Sequence, residues 1–280
     1  MQFGVLTLVD TLANGTMSAE EKYAQVIEEA VFAEQLGFDT FWIGEHHFSN
    51  YICPNPVPLL CAIASRTKRI RLGTGVALAA HHDPVHMAED YAMLDVISGG
   101  RVDLVLGRGI YLQGYRGFNQ PYDEARPRME EAVEIIRGAW TQRPFQYDGR
   151  FRHVEPIDLQ PRPVQQPHPP IWIGGGRGPD SVNYAADQGL HLAMPSVLQP
   201  AAGFKGLAES YRARLVQNGR VPRDFQLSAG QHTYIADSWK SRGSRPFCTR
   251  LARYVSASPL KPAAGWRTEG MARWSPWSAA

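Results

Sequence analysis

The chain has 280 residues, of which 44% are hydrophobic, and a formal net charge of +2, a composition typical of a globular domain with a sizeable core. No apolar run approaches the roughly 18 to 20 residues of a membrane span, and no basic region precedes the first apolar stretch. We therefore predict a cytoplasmic protein without a membrane partner. The cysteines Cys53, Cys61 and Cys248 lie far apart, which argues against a disulfide framework or a cysteine zinc site and favours free thiols.

The charge distribution changes near Asp237. Residues 1–237 contain 21 Lys and Arg against 26 Asp and Glu, whereas residues 238–280 contain 8 basic residues and one acid, Glu269. The second segment also holds four of the seven tryptophans and has no helical or strand period. Its charges neither form a run nor share a helical face, so we predict no nucleic-acid arm. We assign residues 1–237 to one domain and residues 238–280 to a tail of atypical composition.

Strands and helices are predicted to alternate along the first segment. Two helix starts carry clear local signals, a capping box of Ser18 and Glu21, and Asp83 as an N-cap before Pro84. Residues 141–170 contain seven prolines and few helix signals, which predicts an insertion. The predicted strands are 3–8, 40–44, 70–77, 101–106, 171–173, 191–194 and 226–236, and the predicted helices are 18–35, 56–66, 84–97, 122–140, 179–188 and 201–218.

This alternation indicates an α/β protein with a parallel sheet. Seven predicted strands suggest a (β/α)₈ barrel of the TIM type that is incomplete at its C-terminal end. An open doubly wound sheet is the alternative.

The block Glu45-His46-His47-Phe48 directly follows the predicted strand 40–44. In a βα barrel the C-terminal ends of the strands form the catalytic face. Neighbouring residues of an extended segment point to opposite sides, so we expect one histidine to be chemical and the other structural.

Two glycine-rich turns follow later strands. Gly174-Gly175-Gly176 precedes a predicted helix, where free N–H groups, Ser181 and Arg177 could bind a phosphate; a tight turn that needs glycine for its backbone conformation is an equal alternative. Gly107-Arg108-Gly109 ends strand 101–106 and places Arg108 and Tyr111 at the same rim. The flanking glycines would leave room for a planar ligand, and Arg108 is either an anion-binding cation or an ordinary surface side chain.

Taken in order, these motifs resemble the flavin-dependent monooxygenases of the bacterial luciferase-like family over residues 1–195. The matching segments are Gly37-Phe38-Asp39-Thr40-x-Trp42, Glu45-His46-His47-Phe48, Arg71-Leu72-Gly73-Thr74-Gly75, Pro84-Val85 with Ala88-Glu89-Asp90, Leu94-Asp95 with Ser98-Gly99-Gly100-Arg101, Gly107-Arg108-Gly109 and Gly174-Gly175-Gly176. Asp83 stands where many members have a histidine before Pro-Val.

The resemblance implies a (β/α)₈ barrel that binds reduced FMN (FMNH₂) from a separate flavin reductase and oxygenates a small organic substrate with O₂ through a flavin C4a-hydroperoxide. His46 would be the catalytic base or stabiliser of the oxygen adduct, and Glu45 would anchor the flavin edge or orient its loop. Arg108 would contact FMN, Gly75-Val76 would form a non-proline cis peptide on the ligand side, and Tyr111 would lie at the same rim. Gly175, Gly176 and Ser181 would hold the phosphate. Dimerisation through early helices such as Pro56 to Arg66 is the family habit.

Three rival functions remain at this stage. The deazaflavin F420 serves related barrels in hydride transfer, although the Glu-His-His-Phe block favours FMN. A metal-dependent hydrolase would need His46, His81 and His82 as ligands, and because no acids or histidines show clear ligand spacing we predict no metal site. The third rival is a truncated, non-catalytic homologue, since residues 238–280 do not resemble the last helices and strand of the family and look out of register with them.

Overall fold

The computed structural model of the chain describes residues 1–11, 17–175, 178–195, 201–230 and 251–252. The strands are β1 (Gly4–Thr7), β2 (Thr40–Ile43), β3 (Arg71–Thr74), β4 (Ala77–Leu78), β5 (Val102–Gly107), β6 (Phe145–Asp148), β7 (His153–Ile157), β8 (Ile171–Gly174), β9 (His191–Pro195), β10 (Leu227–Gly230) and β11 (Leu251–Ala252). The α-helices are α1 (Ala19–Gln35), α2 (Pro56–Arg66), α3 (Pro84–Ser98), α4 (Leu112–Gly117), α5 (Ala125–Thr141), α6 (Pro179–Gln188) and α7 (Ala201–Gln217). Within these ranges no helix is both long and apolar enough to cross a membrane.

The main sheet is nearly closed as a barrel. Its strands run in the order β10, β9, β8, β5, β3, β2, β1 and β11, and β4 pairs with β5 beside β3. All pairs are parallel except β1 with β11, which pairs antiparallel through Gly4 and Val5. Because the strands follow one another around the sheet without a reversal of order, the arrangement is that of an incomplete barrel and not of a doubly wound sheet.

Capping residues set the helix boundaries where the sequence predicted them. The Ser18 Oγ accepts from the Glu21 N–H at 3.1 Å, and the Glu21 carboxylate accepts from the Ser18 N–H at 2.8 Å. Asp83 caps α3 by accepting from the Val85 N–H at 2.9 Å, and Gly99 ends that helix with a φ of 68°. These contacts satisfy N–H and C=O groups that a helix end would otherwise leave unpaired.

The structure differs from the predicted elements in several places. The strand predicted at 70–77 is two strands, β3 and β4, interrupted at Gly75-Val76. The helix predicted at 122–140 begins as a 3₁₀ turn over Tyr122–Glu124, and α5 then accommodates Pro127 in its first turn. Helix α4 was not predicted. The strand predicted at 226–236 contains β10, and residues 231–236 lie outside the described residues.

The proline-rich segment 141–170 forms an antiparallel hairpin, β6 with β7, and then returns to the barrel. Its return is fixed by the buried carboxylate of Asp95, which accepts from the N–H groups of Val164 and Gln165 at 2.8 and 2.9 Å. The Gln165 side chain donates to Asp95 and to the Val102 carbonyl and accepts from Arg71. The segment is therefore bonded to the N-terminal end of the barrel.

Large side chains fill the middle of the barrel. Trp42, Val105, Trp172 and Ala193 form a buried cluster, and the two indole rings meet edge to face with centroids 5.4 Å apart. Towards the N-terminal end of the strands, Arg71 and Asp103 form an ion pair of 2.8 Å. A filled barrel of this kind is a packed core, and it leaves the C-terminal rim as the place for a ligand.

His191 is a titratable group of this core. Its Nδ1 accepts a hydrogen bond from the Gln226 N–H at 3.0 Å, and its ring packs on Trp172 at a centroid distance of 4.8 Å. Burial lowers the pKa of His191 to about 4, and the charges of His168 and Arg71 act in the same direction, against that of Asp103. The ring is therefore neutral in the folded protein at neutral pH.

We predict that His191 makes the protein less stable in mild acid. Since its folded pKa of about 4 lies below the unfolded value near 6.5, the unfolded chain binds the extra proton, and stability falls as the pH drops from 6.5 to 4. His191→Asn, which can still accept from Gln226, should flatten this dependence, with a difference from the wild type on the order of 3 kcal/mol at pH 4. Urea unfolding between pH 4 and 7 measures it. The exposed His86→Asn is the control, and equal slopes in both variants would contradict the assignment.

Candidate active site

His46 lies on a loop that two backbone contacts hold against the barrel. The loop leaves β2, and the His46 N–H donates to the Cys53 carbonyl at 3.0 Å. Asp10, after β1, forms an antiparallel bridge with Tyr51. The partly buried His46 ring then lies between two aromatic rings, with centroid distances of 4.5 Å to Tyr51 and 5.7 Å to Tyr111. The structure thus brings the rings of His46 and Tyr111 together.

Glu45 and His47 lie on the other side of the same segment. The Glu45 Oε1 and His47 Nε2 are 2.7 Å apart, and the His47 ring faces Phe118 at a centroid distance of 4.8 Å. This arrangement follows from the alternation of an extended backbone, because residues two apart share a side. The two adjacent histidines therefore have different neighbours, as expected for side chains that point to opposite sides; that they have separate roles stays a prediction.

The Glu45 carboxylate is almost fully buried and accepts three hydrogen bonds. His47 and His82 both bond Oε1, at 2.7 and 2.6 Å, while the Leu78 N–H donates to Oε2 at 3.0 Å. Burial alone would raise the pKa of Glu45, but the hydrogen bonds of His47 and His82, the charge of His82 and the Leu78 N–H outweigh it and lower the pKa to about 2. The carboxylate is therefore ionised, and its backbone N–H also donates to the Val76 carbonyl at 3.1 Å.

His82 contacts Glu45, and this pairing was not predicted from the sequence. Burial lowers its pKa, but the hydrogen bond and the charge of Glu45 reverse the effect, so the net pKa is raised. The neighbouring His81 bonds Gln120 at 2.8 Å, and burial lowers its pKa despite that bond. His46, His81 and His82 thus contact different groups and do not form the ligand set that a hydrolase would require.

Glycines at four strand ends allow aliphatic side chains to pack closely against the C-terminal mouth of the barrel. A Cβ at Gly44 or Gly75 would lie 2.4 Å from a Leu8 methyl or 2.6 Å from a Leu6 methyl. A Cβ at either Gly107 or Gly174 would lie 2.6 Å from a methyl of Val76. The side chains of Leu6, Leu8 and Val76 therefore occupy the room that the glycines leave, and we call these three residues the apolar floor.

The Gly75–Val76 peptide bond is cis, as the resemblance implied. Gly107 does not leave open space for a planar ligand, because the Val76 side chain fills it. Gly109 has a φ of 78°, a backbone conformation that favours glycine.

Arg108 extends from the end of β5 towards Tyr122. Its Nη1 donates to the Tyr122 hydroxyl at 3.0 Å, and its guanidinium carbon lies 5.4 Å from the centre of that ring. The Tyr115 hydroxyl donates to the Arg108 carbonyl and fixes the backbone there. The cation is therefore held at the rim and is partly exposed.

Gly175 and Ser181 meet where β8 leads into α6. A Cβ at Gly175 would lie 2.9 Å from the Ser181 Cβ and 3.4 Å from a Leu192 methyl, so the close approach requires glycine. Helix α6 begins after Gly178 with no side-chain hydrogen bond to its first turn. Gly176, a further predicted phosphate residue, lies outside the described residues, as does Arg177.

These groups form one continuous rim. A Cβ at Gly44 would lie 3.4 Å from the His46 ring and 3.2 Å from the Gly75 carbonyl oxygen. From Gly75 the apolar floor leads through Val76 to Gly174, and the next residue, Gly175, contacts Ser181. The rim therefore offers a histidine at one end, an apolar surface in the middle, and a hydroxyl beside the start of a helix that has no side-chain cap at the other end.

We predict that Gly174→Ala disrupts this rim. The new methyl group would overlap Val76 at 2.6 Å, and overpacking of this kind costs about 1 to 3 kcal/mol of stability. Gly178→Ala in the same turn is the matched control, because nothing lies within 4 Å of its Cβ and its φ of −166° suits alanine. Urea unfolding of both variants tests the packing, and an unchanged Gly174→Ala protein would contradict it.

Comparison with known proteins shows the family of this chain. The model of the family described as luciferase-like monooxygenase matches residues 1–274. The oxygenase component of flavin-dependent trigonelline monooxygenase from Acinetobacter baylyi is 31% identical over 248 residues, a match that covers 85% of this chain and 66% of the relative. The chain thus spans about two thirds of that relative's length.

Two solved structures share the fold. Monooxygenase RslO1 from Streptomyces bottropensis superposes with a TM-score of 0.81 at 31% identity, covering 86% of this chain and 74% of that one. A coenzyme F420-dependent tetrahydromethanopterin reductase from Methanopyrus kandleri superposes with a TM-score of 0.72 at 21% identity, covering 86% and 68%, and shows the fold alone. On the family match and the 31% identity, the chain belongs to the luciferase-like monooxygenase family.

Proposed function

We propose that this chain is a monooxygenase that uses reduced FMN and O₂ to oxygenate a small organic substrate. The observation that carries the proposal is the continuous rim from His46 across the apolar floor to Ser181. Family membership and the flavin-dependent relative from Acinetobacter baylyi support the same reaction class.

The described residues fit the parts of FMN. Leu6, Leu8 and Val76 present an apolar surface on which a flat ring system could rest. Ser181 and the uncapped N-terminus of α6 suit the phosphate, since helix N–H groups favour anions. Arg108 adds a cation at the rim that can pair with an anionic flavin ring or with the phosphate.

Reduced FMN, when bound, supplies the electrons that activate O₂ and delivers one oxygen atom to the substrate. His46 is the group we assign to hold or move a proton next to the reacting atoms, because its partly buried ring faces the mouth between Tyr51 and Tyr111. Glu45 has a positioning role in this proposal. Its carboxylate is fully engaged with His47, His82 and the Leu78 N–H, on the side of the loop away from the His46 ring.

The substrate is proposed to be organic and partly hydrophobic. Aromatic side chains that are more than a third exposed surround the rim, and they are Phe48, Tyr111, Phe118 and Tyr122. Phe48 and Phe118 contact each other with centroids 5.2 Å apart, and Phe48 lies over Gly117. Apolar walls of this kind would also exclude water from the reacting flavin.

The deciding experiment is an anaerobic titration of the purified chain with reduced FMN, followed by mixing with oxygen. We expect saturable binding and a long-lived absorbance transient of the predicted oxygen adduct. His46→Ala should shorten the transient with binding retained, and Arg108→Ala should weaken binding about tenfold or more, as expected for loss of a charge-assisted contact.

Two exposed residues that make none of the rim contacts described above supply the controls. His86→Ala and Arg223→Ala remove side chains of the same types, and neither should change binding or the transient. Absence of binding to folded protein would overturn the FMN assignment. Binding of reduced F420 with hydride transfer and no oxygen reaction would establish the rival cofactor, and binding of neither would indicate a non-catalytic homologue.

We further propose that a flavin reductase supplies the reduced FMN and that the chain forms a homodimer through its early helices. The apolar side chains of α2 are mostly buried within the chain. The exposed ones lie on the helices beside it: Phe32 on α1, Leu36 directly after α1, and Met93, Val96 and Ile97 on α3. An exposed apolar surface of this kind is typical of an interface.

We predict that Ile97→Lys converts the dimer to a monomer, because the ammonium group would be buried unpaired in the interface. Val216→Lys, at an equally exposed apolar position on α7, should leave the dimer intact. Light scattering after size-exclusion chromatography measures both masses. A monomeric wild type, or a dimer in the Ile97→Lys protein, would contradict this interface.

That residues 238–280 form a tail separate from the barrel domain stays a prediction. Of these residues the structure describes only Leu251 and Ala252, which pair with β1, and the family model extends to residue 274. We retain the proposal that the barrel domain ends near Asp237 and that the following segment differs from it in composition.

A further inference from the structure

We propose that Glu45, His47 and His82 form a binding site for one divalent transition-metal ion, with Zn²⁺ as the best match. The spacing of acids and histidines in the sequence predicted no metal site, and the proposal does not depend on the flavin reaction. One donor atom from each residue lies within 4.8 Å of the other two, and these atoms are a carboxylate oxygen and two imidazole nitrogens. Two histidines and a glutamate are a ligand set that Zn²⁺ uses in proteins.

The three side chains converge on one point. His47 and His82 both direct Nε2 at the same oxygen, Glu45 Oε1, at 2.7 and 2.6 Å. Ligand atoms around a tetrahedral zinc ion are about 3.4 Å apart for metal–ligand bonds near 2.1 Å. Each imidazole would therefore move away from the carboxylate by less than about 1 Å, and the ion would replace the hydrogen bonds that now join the three groups.

The surroundings already orient the ligands. The Leu78 N–H holds Glu45 Oε2, which leaves Oε1 directed at the imidazoles. The His47 ring is fixed against Phe118, and the His82 backbone carbonyl accepts a hydrogen bond from Arg152 at 3.4 Å. Fixed neighbours of this kind increase metal affinity, because fewer groups must be ordered when the ion binds.

An ion could reach the site through His82. The side chain of His82 is 31% exposed, compared with 8% for His47 and 1% for Glu45. A three-ligand site of this type leaves one coordination position for water or another small molecule. His81 is not counted as the fourth ligand, because it does not belong to the group whose donor atoms lie within 4.8 Å of one another.

A metal titration tests the proposal. Untagged protein freed of metal would be titrated with Zn²⁺ in competition with a chromophoric chelator. We expect one ion per chain with low-micromolar or tighter affinity, and His47→Asn and His82→Asn should each weaken binding at least about tenfold, since even outer-shell changes at metal sites can cost that much.

His153→Asn is the matched control. His153 also contacts two carboxylates, Asp148 at 3.3 Å and Glu155 at 3.0 Å, but all three side chains are more than half exposed. Its replacement should leave the affinity unchanged. Loss of binding in this variant alone would place the ion on the surface hairpin and overturn the proposal.

A second measurement covers the case in which His47→Asn or His82→Asn fails to fold. Co²⁺ added to the wild-type protein should give the intense visible absorption of a low-coordinate ion, and excess Zn²⁺ should remove it. Near-ultraviolet circular dichroism would establish which variants are folded. A wild-type Co²⁺ spectrum like that of the aqueous ion, or no zinc binding above chelator competition, would show that the three groups form a hydrogen-bonded cluster only.

Discussion

A carboxylate buried at the end of β2 constrains the C-terminal face of this barrel. Removing an ionised group from water is costly unless hydrogen bonds replace the lost hydration. Glu45 obtains them from His47 on its own loop, from His82 after β4, and from the Leu78 N–H within β4. Its own N–H bonds the Val76 carbonyl. These hydrogen bonds therefore fix the ends of β2, β3 and β4 relative to one another. Because His46 follows Glu45 on the same loop, they also determine where His46 lies.

Small residues at the strand ends then determine the shape of the mouth. The middle of the barrel is filled by Trp42 and Trp172, whereas the next inward positions, Gly44 and Gly174, have no side chain. Aliphatic groups from neighbouring segments enter that space and form an apolar surface. The apolar floor thus arises from a single change in side-chain size along the strands.

Much of this architecture follows from local patterns. The capping residues Ser18 and Asp83 set helix starts that the structure confirms, because a cap acts within a few residues. The alternation of side chains separated His46 from its neighbours for the same reason. The pairing of Glu45 with His82 joins residues 37 positions apart, and the filling of Gly107 by Val76 depends on how two strands meet. Local spacing carries no information on contacts between residues that are far apart in the chain, so these two contacts could not be predicted from the sequence.

The bonding of the proline-rich segment to Asp95 has a consequence for how the protein can change. Asp95 lies in α3 with no exposed surface, and its oxygens are satisfied by Val164 and Gln165 from that segment. Gln165 in turn accepts from Arg71, the partner of Asp103 inside the barrel. Shortening or exchanging the segment would leave the Asp95 carboxylate buried without its hydrogen-bond donors. The turn between β6 and β7 can therefore vary in sequence. The part of the segment around Gln165 can change only together with α3, β3 and β5, which hold its hydrogen-bond partners.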